Sequence, residues 1–238
     1  MAWDFETNLP GEQQLHEKDE TVSQTEPEQV RLFFEVLERI YHRYEYQVFG
    51  ETPPVMVELG AAEGYYSHLF SQYFKDKDLQ SRNICVDPDI DKIDQLKQNI
   101  PDAEIYHGYV GDLAPHLLNL NGNPKQYTIK EVLHKNKIDK IDKVDILYAN
   151  IEGGEIKLLE QLLEKELIDK FKYYFITLYP EYNSDSEWCK LGNTNSKVPL
   201  VPKEFHDAFE DASFLVTRQL PGYAGSNNFL LVENHLLD

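Results

Sequence analysis

The stretch PVMVELGAAEGYYS, residues 54–67, decides the fold. It joins a short apolar run that ends in Gly60 to an amphipathic pattern typical of a helix, which begins at Glu63. The same strand-then-helix pattern recurs, with further strand-like runs at residues 83–89, 103–111, 144–153 and 173–182. These runs are rich in branched and aromatic residues and do not alternate strictly with polar ones, as expected of strands covered on both faces. Strands interleaved with helices predict an α/β domain with a mainly parallel sheet.

The C-terminal part of the chain departs from this alternation. Two strand-like runs, 213–220 and 228–234, are separated only by the turn-rich segment PGYAGSN, which predicts an antiparallel hairpin. Such a hairpin distinguishes the methyltransferase variant of the Rossmann-like fold from its all-parallel dehydrogenase variant. We therefore expect an α/β, Rossmann-like class I methyltransferase fold. Its central, mostly parallel sheet is closed by the C-terminal hairpin and carries helices on both faces.

The remaining segments complete the expected order of elements. Residues 112–126 contain two prolines and a glycine and are interpreted as a loop, whereas 154–170 is predicted to be one long helix. No linker is rich enough to split the chain, so we expect a single domain over 25–238 that begins with a helix within 25–50. An acidic, flexible arm is expected over residues 1–24. The segment 180–201 is too long for a tight connection and is expected to be an insertion on the acceptor side.

The charge of the chain limits its partners. Lysine and arginine total 23 residues against 42 aspartates and glutamates, a formal charge of −19. This field repels phosphate backbones and anionic lipids, so we expect neither nucleic acid nor a membrane as a direct partner. With only two cysteines and no secretory leader, we expect a cytoplasmic protein. An oligomer is possible, because the aromatic helix around Phe33–Tyr44 can face either the sheet or a second subunit.

The loop after the first strand is the first candidate binding feature. Ligands of open parallel sheets bind beyond the carboxyl ends of the strands, and Gly60 and Gly64 let the backbone approach a ligand there. The loop lacks the middle glycine of the G-x-G-x-x-G dinucleotide fingerprint. Glu58 and Glu63 beside it are poorly suited to a pyrophosphate. A cationic ligand without phosphate fits better, and S-adenosyl-L-methionine carries both a sulfonium and an ammonium group.

The next two strands end in further acids. Asp87, 27 positions after Gly60, closes the second strand, where a carboxylate can accept hydrogen bonds from both hydroxyls of a ribose. Alternatively Asp87-Pro88 only opens a turn, but the glycine loop at this spacing favours the ribose role. Gly111 and Asp112 end the third strand, where an acid or a backbone amide could meet the edge of an adenine.

Three motifs together resemble one family. VELGAAEGYYS (57–67), NICVDPDIDKIDQLKQNI (83–100) and VDILYANIEGGEIKLLEQL (144–162) are similar to the FkbM group of S-adenosylmethionine-dependent methyltransferases. The resemblance covers residues 55–179, and it implies that Asp87 holds the ribose and that Asn150–Glu155 lies between cofactor and acceptor. The residues that it assigns to the rest of the cofactor site are Glu58, Gly60, Ala61, Glu63, Gly64, Tyr65, Tyr66, Asn150 and Ile151.

The sequence departs from the family pattern on its fourth strand. Tyr148 stands where the family usually has lysine, and Asn150 stands where it usually has aspartate. An amide neither takes a proton near neutral pH nor supplies charge, so Asn150 cannot replace an aspartate that acts as a base or metal ligand.

Methylation of a hydroxyl requires a base that removes its proton. The candidates at the carboxyl edge are Glu152, Glu155, His107, Tyr179 and Glu181. Glu152, just past the fourth strand, is the first choice, and Asn150 and Glu155 are assigned to the catalytic set with it. The alternative for Glu155 is that it complements the dipole of its helix, and the alternative for His107 is an ordinary strand residue.

The segment after the fifth strand is the expected acceptor wall. Its acceptor-binding residues are predicted to be Tyr179, Glu181, Tyr182 and Trp188, because aromatic rings beside hydrogen-bonding groups suit a sugar or another polyol. The alternative is a surface loop whose tryptophan fills the core. We predict no metal, because the aspartates at 87, 89, 91 and 94 fit a strand end that runs into a helix better than a coordination loop.

These residues support three hypotheses. The leading one is an S-adenosylmethionine-dependent O-methyltransferase that acts on a small hydroxylated acceptor, a sugar or a secondary metabolite. The second is a methyltransferase-like domain that binds the cofactor without turnover, motivated by Tyr148 and Asn150. The third, an NAD(P)-dependent oxidoreductase, is disfavoured by the missing glycine and the terminal hairpin. Cofactor titration separates the third from the others, and release of S-adenosylhomocysteine (SAH) separates the first from the second.

Overall fold

The computed structural model describes residues 27–46, 52–113, 115–138, 143–164, 166–179, 207–209, 212–218 and 228–235. The chain divides into two compact units, residues 1–51 and 52–238. In the first unit, helix α1 spans Pro27–Tyr46 and repeats apolar residues at helical spacing, as at Phe33, Leu37 and Ile40. The segments predicted as an arm (1–24) and as an acceptor-side insertion (180–201) lie outside the described residues.

Among the described residues of the second unit, eight strands form one sheet. They are β1 (Val55–Leu59), β2 (Arg82–Asp87), β3 (Glu104–Val110), β4 (Lys125–Tyr127), β5 (Val144–Ala149), β6 (Phe171–Leu178), β7 (Ala212–Arg218) and β8 (Asn228–Asn234). Their order is β4-β3-β2-β1-β5-β6-β8-β7. Strands β1 to β6 pair in parallel, and β8 is antiparallel to both β6 and β7. This confirms the predicted Rossmann-like methyltransferase fold with its C-terminal hairpin.

Helices connect the parallel strands. They are α2 (Tyr65–Lys75), α3 (Ile90–Asn99), α4 (Ile129–Lys135) and α5 (Glu155–Glu164), with short 3₁₀ helices at Pro115–Asn119 and Ile168–Lys170. The prediction of one helix over 154–170 is wrong in its length. Helix α5 ends at Glu164, and Glu166 then adopts a left-handed φ of 54° that turns the chain away from the helical path. Within the described ranges, none of the helices is long and apolar enough to cross a membrane.

The segment 112–126, predicted as a loop, holds two regular elements. The first is the 3₁₀ helix Pro115–Asn119, and the second is β4, which adds a parallel edge strand next to β3. β4 has only three residues, Lys125, Gln126 and Tyr127, of which only Tyr127 is buried. So short a strand carries too little apolar periodicity to be found in the sequence.

Burial of the central strands explains the sequence pattern. Every residue of β1, β5 and β6 is buried, so these strands need apolar residues on both faces. The order of the strands reverses at β1. The chain builds outward from β1 through β2 to β4, and then returns to place β5 on the other side of β1. This switch point is where open α/β sheets bind ligands.

Candidate functional site

A cavity of about 220 Å³ lies at the switch point, beyond the carboxyl ends of β1, β2, β3 and β5. Its walls come from the turn after β1, the acid-rich end of β2, a leucine-rich segment after β3 and the turn after β5. Of the site residues predicted from the sequence, the lining includes Gly60, Asp87, Asp112, Asn150, Ile151 and Glu152.

The turn after β1 depends on Gly60. This residue has a φ of +73°, and a Cβ built on it would lie 2.0 Å from the carbonyl oxygen of Asn150. Any side chain here would force β1 and β5 apart. The amide of Gly60 donates to the carbonyl of Val86 at 2.8 Å, and the amide of Asn150 donates to that of Leu59 at 2.9 Å. These bonds hold the turn against both neighbouring strands.

Asp87 is held at the cavity by backbone donors. Its Oδ2 accepts from the amide of Ala62 at 2.7 Å, and its Oδ1 accepts from the amide of Asp89 at 2.8 Å. The residue is 5% exposed. Desolvation by this burial raises the pKa of Asp87 to about 6, although the two amide donors act in the opposite direction. At pH 7 the group is therefore mainly a carboxylate, and each oxygen keeps a second lone pair that can accept from a pair of hydroxyls.

An apolar wall lines the same cavity as this carboxylate and was not predicted from the sequence. It combines Tyr109 and Val110 of β3 with Leu113, Leu117 and Leu120. The three leucines recur at spacings of four and three residues, a helical signal that Pro115 and Gly122 obscure because both residues are typical of loops. A flat apolar group such as a heteroaromatic base suits this wall.

The charges around the cavity favour cationic or neutral ligands. The described lining carries four carboxyl groups, on Asp87, Asp89, Asp112 and Glu152, and one ammonium group, on Lys92. That ammonium forms an ion pair with Glu63. A phosphate-bearing ligand would meet mostly like charge here. Asp89 and Lys92, like the leucine wall, were not among the predicted site residues.

The turn after β5 forms the opposite end of the cavity. The hydroxyl of Tyr179 donates to Oδ1 of Asn150 at 2.6 Å. Glu152, two residues further on, has a left-handed φ of 45°, a conformation that is costly for a residue with a side chain. Glu152 also lines the cavity.

Several predicted cofactor residues lie behind the cavity instead of lining it. Glu58 is 2% exposed, and both the amide and the hydroxyl of Ser67 donate to its Oε2. Burial raises the pKa of Glu58 to about 8, with the Ser67 donors lowering it in part. Tyr66 stacks on Tyr148 with ring centroids 4.2 Å apart and contacts Tyr65 edge-on. Tyr148 is therefore part of an aromatic core.

The remaining predicted residues of the turns after β1 and β3 contact other parts of the protein and do not line the cavity. Ala61 packs into a small apolar cluster under α3, and Gly64 lies against Leu96 and Ile100. Glu63 pairs with Lys92, and its carbonyl accepts from Asn99 at 2.8 Å. The carbonyl of Gly111 accepts from Gln126 at 2.9 Å.

The other candidates near the edge are placed as follows. Glu155 is fully buried in the first turn of α5 and accepts from the amide of Gly153 at 2.9 Å, while His107 contacts the carbonyl of Pro88 at 3.1 Å. Glu181, Tyr182 and Trp188 lie outside the described residues, so only Tyr179 of the predicted acceptor wall is seen. In the part of the chain that the structure describes, no three His, Cys, Asp or Glu side chains cluster as a metal site would require.

Comparison with known proteins yields structural likeness alone. No family model matches the chain, and no curated protein matches it. The O-methyltransferase from Bacillus cereus in complex with SAH matches with 10% identity and a TM-score of 0.45, covering 85% of this chain and 90% of that one. An rRNA methylase from Streptococcus thermophilus matches with 10% identity and a TM-score of 0.42, covering 82% and 94%.

A third match is the plantazolicin methyltransferase BpumL in complex with SAH and a pentazolic desmethylPZN analogue. It has 11% identity and a TM-score of 0.43, covering 87% of this chain and 85% of that one. At these identities and TM-scores the likeness does not identify a function for this chain.

Proposed function

We propose that this chain binds S-adenosyl-L-methionine and transfers its methyl group to a hydroxyl of a sugar or another small metabolite. The observation that carries the proposal is the pairing of Asp87 with the turn at Gly60. A buried carboxylate, fixed by two backbone amides, lies beside a turn that admits no Cβ. The motif resemblance adds the FkbM group as the proposed family.

The cavity supports one direction for the bound cofactor. Asp87 would accept from the two ribose hydroxyls, and the leucine wall beside Asp112 would cover the adenine. The methionine end would then run over Gly60 toward Asn150. The four carboxyl groups of the lining favour a ligand with a sulfonium and an ammonium over a dinucleotide with a pyrophosphate.

Glu152 is proposed as the base. When bound, S-adenosylmethionine supplies an electrophilic methyl group, and the electron pair of the broken C–S bond stays on sulfur to leave SAH. The acceptor oxygen uses a lone pair to form the new C–O bond, and its proton passes to the carboxylate of Glu152. Gly60 and Asn150 hold the two sides of the cavity at fixed separation, which provides the alignment that an in-line displacement requires.

A domain that binds the cofactor without turnover is the second candidate. Two observations favour it: Tyr148 lies in an aromatic core instead of at the cavity, and Asn150 is an uncharged amide bonded to Tyr179. The two candidates share the same cofactor site and differ only in whether SAH is released.

Calorimetry with SAH and with NAD⁺ tests the shared claim. We expect SAH to bind and NAD⁺ not to bind. Asp87→Ala should weaken the binding of SAH by about 1.5–3 kcal/mol, the range for hydrogen bonds to a charged group. Asp94→Ala, on the exposed side of α3, serves as the control. Unchanged affinity in Asp87→Ala would refute the ribose placement.

Turnover is tested separately. Parent protein with S-adenosylmethionine and a panel of hydroxylated acceptors, sugars included, should release SAH with at least one of them. Binding of SAH without release over the whole panel would favour the second candidate. We expect a small molecule and not nucleic acid as the acceptor because of the charge of −19.

A further inference from the structure

The amide of Asn150 is fixed in one orientation by a residue from another strand. The hydroxyl of Tyr179, which follows β6, meets Oδ1 of Asn150 at 2.6 Å. This distance is typical of an O–H···O hydrogen bond and shorter than the usual N–H···O distance, so the oxygen of the amide is the atom that faces Tyr179. Among the described residues, Nδ2 of Asn150 donates to none. The two Nδ2 hydrogens are therefore the part of this cavity-lining amide that a ligand meets.

We infer that Tyr179 is a positioning residue that makes Asn150 a hydrogen-bond donor to the methyl acceptor, and that the acceptor atom is therefore an oxygen and not a primary amine. This inference rests on the proposed function and names the class of its substrate. The preference for an oxygen follows from the number of lone pairs on the acceptor atom. A hydroxyl oxygen has two, so one accepts from Nδ2 while the other attacks the methyl carbon.

A primary amine has only one lone pair. If that pair accepts a hydrogen from Nδ2, none is left to form the bond to the methyl carbon, and the amine hydrogens face another donor. The Asn150–Tyr179 pair thus disfavours amines by leaving them without a partner, and it favours a hydroxyl whose proton passes to Glu152. An aspartate at position 150 would reverse this preference, because its second oxygen would accept hydrogens from an amine.

The test uses sinefungin, an analogue of S-adenosylmethionine in which an amine-bearing carbon replaces the methylsulfonium centre. The ammonium group at that replaced centre reports whether the cavity offers a hydrogen-bond donor or an acceptor where the methyl group would lie. Calorimetry measures the affinity for sinefungin relative to that for SAH, in the parent and in each variant. SAH serves as the reference because it has the same α-amino group but no amine at the position of the sulfur, so the ratio of the two affinities cancels general damage to the site.

We expect the ratio to rise about threefold or more in Tyr179→Phe, because the freed amide can turn its oxygen to the ammonium. It should rise about tenfold or more in Asn150→Asp, which adds a charged acceptor. Tyr173→Phe is the matched control, because it removes a tyrosine hydroxyl of β6 that donates to Glu233 of β8 and does not line the cavity. Its ratio should equal that of the parent.

An unchanged ratio in Asn150→Asp, or in a folded Tyr179→Phe, with SAH binding intact would overturn the inference alone. If Tyr179→Phe does not fold, Asn150→Asp decides the question. Absence of SAH binding to the parent protein would overturn the proposed function, and with it this inference.

Discussion

The two ends of the cavity are built in different ways. At the β2 end, the carboxyl group of Asp87 is held by the backbone amides of Ala62 and Asp89. At the β5 end, the amide of Asn150 is held by the side chain of Tyr179, 29 positions away in the sequence. Backbone donors remain in place when neighbouring side chains change, whereas a bond between two side chains is lost with either residue. The β2 end is thus suited to a constant part of a ligand, and the β5 end to a part that varies.

The largest effect on SAH binding is expected at the turn that joins both ends. Gly60→Ala should abolish measurable SAH binding, a loss of about 100-fold or more, because its Cβ would overlap the carbonyl of Asn150. Ala62→Gly is the matched control. Glycine accepts the left-handed φ of 45° at that position, so its SAH affinity should stay within about threefold of the parent. Calorimetry and a thermal melt of each variant check this, and near-parent binding by Gly60→Ala would contradict the account of the turn.

A large effect on turnover without an effect on binding is expected at the β5 end. Glu152→Gln should slow SAH release with a responsive acceptor by about 10²–10⁴-fold, the usual contribution of a general base. SAH affinity should change less than about twofold, since removing this carboxylate leaves the Asp87 end intact. Glu160→Gln, an exposed residue of α5 paired with Lys157, should change neither. Equal rates for Glu152→Gln and parent would remove Glu152 as the base.

The contrast between the two ends also explains what the sequence could predict. The turn after β1 and the acid at the end of β2 are local features, since Gly60 directly follows one buried strand and Asp87 is the last residue of the next. The parallel strands and the terminal hairpin were predicted for the same reason. The bond between Tyr179 and Asn150 depends on the pairing of β5 with β6, which no local pattern shows.

Buried strands also conceal which way their polar residues point. Glu58 and Tyr66 were expected at the ligand, yet both lie behind the turn in contact with Ser67 and Tyr148. Because both faces of β1 are covered, its sequence lacks the alternation that would assign Glu58 to one face. The leucine wall was missed since its helical spacing spans only Leu113–Leu120.

Glu58 provides a test of this buried position through stability. Its pKa in the folded protein is about 8, against an ordinary value of 4.5. The folded state therefore keeps a proton that the unfolded chain releases, and the free energy of unfolding falls as pH rises from about 4.5 to about 8. Glu58→Gln keeps the shape of the protonated acid and lacks this penalty. It should be more stable than the parent by about 2–3 kcal/mol at pH 7 and nearly equal to it at pH 4.5.

Urea unfolding of both proteins at several pH values measures this difference. Glu160→Gln, on α5, is an exposed control that should follow the parent at every pH. Parallel stability curves for Glu58→Gln and the parent would mean that Glu58 is ionised in the folded state.

The smallest expected effect is the pH dependence of binding at the β2 end. The pKa of Asp87 is about 6, and only the carboxylate form can accept from two hydroxyls. The affinity for SAH should therefore fall as pH drops through 6, by about tenfold between pH 7 and pH 5. Asp87→Asn should bind more weakly at pH 7 and lose this dependence. A parent protein whose SAH affinity stays constant over this range would separate Asp87 from the ligand.

The central claim is that the acid after β2 and the turn after β1 hold an adenosyl group. A crystal structure of the protein with SAH tests it most directly. We expect both ribose hydroxyls at about 2.6–3.2 Å from the carboxyl oxygens of Asp87 and the sulfur on the side of Gly60 that leads to Asn150. SAH bound elsewhere, or bound in this cavity without contact to Asp87, would contradict the claim.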